Sequence, residues 1–283
     1  MVLENIFPKE WVRNKAIVAL FLGWAYAVIG IVIAKLIFPA DPSLVAVAIT
    51  SILLIPSLQK LYDIEFKALK AEKSFSFKRL YMSNKDATRV YLGLFLGMFL
   101  IYLTAAVVLP SLQVNSLFKV QLNLRGAAGT LDFNPSLFFD ILGNNWWVLI
   151  ATFLISLLIA DGGIFMITWN ASVWGTIFGV TARNAALATT ANPFMYVAII
   201  IAVVAPHMII EIVSYILGAI SGGTFSKAMT TKHKKLDSVA AYSVVLFFVA
   251  MCVMLLGAFV ETFVLVNADI YREIIVLSLQ AGF

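Results

Sequence analysis

His207 and Glu211 stand four residues apart in Ala205-Pro206-His207-Met208-Ile209-Ile210-Glu211, a spacing that places both side chains on one face of a helix. Their surroundings, Pro193–Leu217, are otherwise apolar. In bilayer hydrocarbon an ionisable side chain at a helix centre costs roughly 2.5–3.5 kcal/mol on insertion scales, so each one needs a partner or a purpose. Glu261, near the end of the last apolar run, is a third such residue, and Asn144, Asn145 and Asn170 offer amide donors and acceptors on neighbouring segments. Pro206 removes a backbone donor beside His207 and is able to kink or break its helix. Two readings stay open. In one, His207, Glu211 and Glu261 converge in a cavity to bind an ion, relay a proton or handle a polar substrate group. In the other they form an interhelical hydrogen-bond network with Asn145 and Asn170 that fixes a bundle.

Other chemistries find less material. A zinc hydrolase needs about three protein ligands, an open position for water and a general base. Only two histidines are present, and the second, His233, lies among Lys232, Lys234 and Lys235, whose charge opposes a metal. A divalent metal therefore has His207, Glu211 and Glu261 as its candidate ligands, and no other cofactor is expected. There is no His-Glu-x-x-His motif, no Gly-x-Ser-x-Gly elbow and no phosphate-binding glycine loop, so an enzyme is the weaker reading.

The elements that must position these residues follow from composition. Of 283 residues, 62% are hydrophobic and 12% charged, about half the charged share of an ordinary soluble domain. Mean hydropathy is +0.97. An all-α, polytopic transmembrane bundle is expected, with seven spans at Ala16–Phe38, Leu44–Leu58, Val90–Pro110, Asn145–Ala160, Ile164–Thr181, Pro193–Leu217 and Val239–Val260, and a helix broken by proline near 206. The formal charge of +5 is read as topology rather than nucleic-acid binding. Basic residues gather before the first run (Lys9, Arg13, Lys15), across Lys60–Arg89 and in Lys227–Lys235, which places the N-terminus in the cytoplasm and the C-terminus outside. That orientation requires a tight hairpin at Asp161-Gly162-Gly163, with Asp161 as a solvated turn residue. The first span is not read as a signal peptide, because its apolar run exceeds the usual 7–15 residues. Cys252, the single cysteine, reads as packing, and Trp11, Trp24, Trp146 and Trp147 as interfacial or packing aromatics.

Between the spans, Gln59–Arg89 reads as an amphipathic helix continuing out of the second span, either against anionic headgroups or solvated. Phe118–Leu124 alternates apolar and polar residues and predicts a short strand or hairpin. Asn134-Pro135 is expected to cap an interfacial helix ending at Gly143. Small residues repeat at four-residue spacing in Gly93/Gly97, Gly175/Gly179 and Gly218/Gly222, the pattern that lets membrane helices approach closely. Packing within the chain is the expected use, with homo-oligomerisation the alternative.

Asn144-Asn145, Asn170 followed by Gly175 and Gly179, Pro206-His207-x-x-x-Glu211 with a glycine-rich exit at Gly218, and Phe259-Val260-Glu261 together resemble the stage II sporulation protein M family. The resemblance covers roughly Val90–Phe263, a five-span core, so residues 90–283 are read as that core and 1–89 as a two-span extension like that of archaeal members. Met208 and Ala171 stand where the family favours glycine. The bacterial sporulating member is a membrane scaffold for a peptidoglycan-remodelling machine. The resemblance carries over the integral-membrane core and its polar constellation rather than a defined reaction, and the reading taken with it is a scaffold or assembly component in the cytoplasmic membrane, with lipid and other envelope proteins as partners. A small-solute or ion transport component using His207, Glu211 and Glu261 is the alternative, and a metal-dependent intramembrane hydrolase the third reading.

Overall fold

The computed structural model describes residues 16–70, 77–128, 136–231 and 236–281, with the backbone alone at 59–70, 77–83 and 125–128. These residues form ten helices: α1 (Ala16–Ile37), α2 (Pro42–Lys70), α3 (Phe77–Val108), α4 (Ser111–Leu117), α5 (Lys119–Ala128), α6 (Leu137–Leu158), α7 (Gly163–Thr189), α8 (Pro193–Thr230), α9 (Leu236–Asn267) and α10 (Asp269–Gln280). Among the described residues there is no strand. In hydrocarbon every backbone polar group must be satisfied internally, and a helix does this within one segment.

Six helical stretches are long and apolar enough to cross a bilayer: Ala16–Ile37, Asn84–Val108, Leu137–Leu158, Gly163–Thr189, Pro193–Thr230 and Leu236–Asn267. The seventh expected crossing is the apolar front of α2, Pro42–Leu58, which is shorter. Outward-facing Phe21, Leu158, Phe248 and Phe263 are each more than half exposed. On a membrane protein such side chains meet lipid.

All three glycine pairs are consumed inside the chain. A Cβ built on Gly93 would lie 2.6 Å from the Ala16 carbonyl oxygen, and one on Gly97 2.7 Å from the Trp24 nitrogen, so α3 rests on the backbone of α1. Gly175 and Gly179 bring α7 onto α3 at Phe99, Tyr102, Leu103 and Ala106. Gly218 and Gly222 bring α8 onto α6 at Leu149, Phe153 and Ser156. Lipid tails supply no hydrophobic drive between helices, so such close van der Waals packing is what holds them. Helix ends are tied by guanidinium groups: Arg183 donates to the Leu109 carbonyl at 3.0 Å beyond α3, and Arg272 donates to Leu265 and Val266 at the end of α9. Positive charge at those carbonyls complements the helix dipole.

Several expectations are corrected. Residues 119–124 are helical and Phe118 is the turn between α4 and α5, because Val114, Leu117, Phe118 and Gln121 are buried at helical spacing against the bundle. Phe118 lies 5.4 Å from the Tyr102 ring, and Gln121 donates to Ser172 on α7. The expected interfacial helix does not stop at Gly143; α6 begins at Leu137 and continues to Leu158. Asp161 is 3% exposed rather than solvated, since its turn is packed where Gly163 meets Ala219 of α8. Cys252 faces outward rather than into the core. Most directly, α8 runs unbroken through Pro206. Trp24 and Trp147 are exposed and Trp146 packs against the core, whereas Trp11 lies outside the described residues. The Gln59–Arg89 segment is helical to Lys70 and again from Phe77, but the face it would lay on headgroups falls outside the described side chains.

Candidate functional site

The polar residues predicted from sequence sit on four helices, α6 to α9, and the packing of α8 against α9 decides which of them meet. Ser221 Oγ donates to the Ser243 carbonyl at 2.6 Å, and Ser214 Oγ to the Ala250 carbonyl at 2.7 Å. Seven residues back along α8 match seven forward along α9, so the helices are antiparallel and in register. Another such step leads to His207 on α8 and Gly257 on α9, with Glu261 one turn further on. Gly257 leaves room for Glu211: a Cβ there would lie 3.3 Å from Glu211 Cγ.

This register brings His207, Glu211 and Glu261 together, with one donor atom from each within 4.8 Å of the others. His207 and Glu211 are buried and Glu261 is half-buried. The third wall is α6, held close by Gly218 against Leu149. One turn from Leu149, Asn145 donates through Nδ2 to Glu261 Oε2 at 3.5 Å and accepts from the Tyr215 hydroxyl at 3.3 Å. Asn144 donates to Asn145 Oδ1 at 3.4 Å. These contacts are long, so the amides orient the carboxyl group without saturating it.

Buried polar atoms remain over. His207 Nδ1 and Glu211 Oε1 are both buried with no hydrogen-bond partner among the described residues, and no lysine or arginine there is paired with Glu211 or Glu261. Two unit charges within 4.8 Å of each other repel by at least about 3.5 kcal/mol at an effective dielectric constant of 20. The two carboxyl groups therefore require a shared proton or a bound cation. Chemically the arrangement offers one imidazole nitrogen and two carboxyl oxygens, a donor set that suits a divalent transition metal.

Not every expected member joins. Asn170 donates its amide to the Met166 carbonyl of its own helix at 2.8 Å and makes no hydrogen bond to the trio. Two residues were missed, Tyr215 and Gly257. Both carry the spacing already used for His207 and Glu211, since Tyr215 follows Glu211 by four and Gly257 precedes Glu261 by four.

The family model described as stage II sporulation protein M matches residues 90–264, a stretch that contains Asn145, His207, Glu211, Tyr215, Gly257 and Glu261. No curated protein and no solved structure matches the chain. With more than half of its length matched, the chain belongs to the stage II sporulation protein M family.

Proposed function

We propose that this multi-pass membrane protein is a scaffold or assembly component of a cell-envelope complex in the cytoplasmic membrane. One observation carries the reading: three helix pairs, α1 with α3, α3 with α7, and α6 with α8, meet at glycines with backbone against backbone or small side chains. These contacts tie α1, α3 and α7 into one packed group and α6 and α8 into another, and Gly163 against Ala219 joins α7 to α8, which resists the rocking of one group against the other that alternating access requires. A rigid bundle with apolar outer faces suits the holding of partners. In this reading the N-terminus is cytoplasmic, the C-terminus extracytoplasmic, α1 and α2 form an extension on the family core, and His207, Glu211 and Glu261 sit in the outer half. Because the glycine faces are occupied within the chain, any self-association uses the outward apolar faces instead.

Transport of an ion or small solute is the second reading, favoured by the convergence of His207, Glu211 and Glu261 within 4.8 Å. Two measurements separate the readings. Photo-crosslinking residues placed at Phe21, Leu158 and Phe248 are expected to capture the same few membrane proteins from native membranes, while proteoliposomes of the purified chain pass no protons or divalent cations above protein-free vesicles. A chain that crosslinks to lipid alone, and whose vesicles show a flux lost in Glu211→Gln, overturns the scaffold reading in favour of transport.

A further inference from the structure

We propose that His207, Glu211 and Glu261 hold one divalent transition-metal ion, zinc(II) by donor chemistry, between α8 and α9. Geometry is the first support. Donors around a tetrahedral zinc, at about 2.0–2.2 Å from the metal, stand about 3.4 Å apart. The three donor atoms already lie within 4.8 Å of one another. Closing the remaining ångström or so takes torsion adjustments in two glutamates and a histidine, with no movement of helices already tied by Ser214 and Ser221.

Two atoms without partners are the second, independent support. His207 is 7% and Glu211 3% exposed, yet His207 Nδ1 and Glu211 Oε1 have no hydrogen-bond partner among the described residues. Of the ten buried side-chain atoms without a partner among the described residues, these two belong to the one cluster of metal-ligating groups, and each buried atom left over is costly. A metal ion engages the carboxyl groups and the imidazole together and cancels the repulsion between the two glutamates. The imidazole nitrogen argues against magnesium and calcium, which take oxygen ligands, and the absence of thiolate argues against an iron–sulfur cluster or copper(I). Asn145 is then a positioning residue: its amide fixes Glu261 Oε2, and Tyr215 and Asn144 in turn fix the amide. Outer partners of this kind typically account for 10–100-fold in metal affinity.

The site stands whether or not the chain assembles with partners, and its test uses the whole chain in detergent. The protein is stripped with a chelator, loaded with zinc chloride, freed of excess metal and assayed for zinc per chain and for affinity by chelator competition. About one zinc per chain is expected, falling at least 100-fold in affinity in His207→Ala, Glu211→Gln and Glu261→Gln and about 10–100-fold in Asn145→Ala, with His233→Ala unchanged. X-ray absorption on the unsubstituted protein is expected to show one imidazole nitrogen among oxygen donors, a readout that survives any variant failing to fold. Less than about a tenth of an equivalent of zinc in the unsubstituted chain overturns the proposal and leaves a shared proton between the glutamates. Zinc that persists unchanged in the Glu211→Gln, Glu261→Gln double variant, or an absorption spectrum lacking imidazole, overturns it as well.

Discussion

Replacing Gly175 by alanine tests whether close helix approach holds the bundle. The new methyl would lie 2.8 Å from the Phe99 carbonyl oxygen, 2.8 Å from Tyr102 Cβ and 3.0 Å from the Leu103 nitrogen. Two of these three neighbours are backbone atoms, so no rotamer change relieves the clash. Ordinary contact begins near 3.4 Å, and α3 must retreat from α7 by about 0.5–1 Å, a gap that forfeits a quarter to a half of each dispersion well. At about 0.1–0.2 kcal/mol per atom pair and on the order of 40 pairs along the interface, the loss is about 1.5–3 kcal/mol. Overpacked cores lose a similar amount. The assay is equilibrium unfolding in micelles or nanodiscs, with Gly143→Ala as the control. Gly143 has nothing within 4 Å of its added carbon and lies inside α6, so alanine there is expected to stabilise by about 0.5–1 kcal/mol. Equal stability of Gly175→Ala and the unsubstituted chain, or a loss as large in Gly143→Ala, would refute the reasoning.

Tyr215→Phe deletes the hydroxyl that donates to Asn145 Oδ1 at 3.3 Å and is expected to lower stability by about 0.5–1.5 kcal/mol in the same unfolding assay. Arg272→Met strips the donor from the Leu265 and Val266 carbonyls at the end of α9. Faster amide exchange should appear at 262–280 by mass spectrometry while α3 and α7 stay protected. Gln121→Leu leaves Ser172 Oγ without the amide that donates to it at 3.2 Å, deep in the bundle. The expected cost is about 1 kcal/mol, with earlier protease cleavage in the α4 and α5 region.

The spans were legible because lipid imposes one rule on a long stretch of sequence, and the apolar runs announce it. What failed was local. Phe118–Leu124 alternates like a strand when read alone, but the buried set Val114, Leu117, Phe118 and Gln121 has the helical period and straddles the junction between α4 and α5. A window starting at Phe118 cuts that set in half. The amphipathic α10 went unread although Ile274 and Ser278 are buried four apart, because no span-length apolar run marked it. Asp161 looked like an ordinary solvated turn. Its burial depends on Gly163 seating against Ala219, a long-range contact that no local pattern encodes.

At the site, the same distinction between local and long-range information explains which residues assembled. His207 and Glu211 share a helix face by spacing alone, so their pairing was fixed before the fold was known. Glu261 needed the register of α8 against α9, set by Ser214 and Ser221 bonding to carbonyls on α9. Asn170 had the right chemistry on the wrong terms, since its amide found an acceptor within its own helix at Met166. Pro206 failed to break α8 for a related reason. Asn192 accepts from Phe194 N and Pro193 starts the helix, while α6 and α9 pack along its later turns, so the helical path is held on both sides of the proline. Proline supplies no N–H to the carbonyl of Ala202 four residues back, so that one intrahelical hydrogen bond is missing. Ala202 and Pro206 are both exposed, so that missing hydrogen bond lies on the outward side of α8, while His207 and Glu211 stay buried on the packed side.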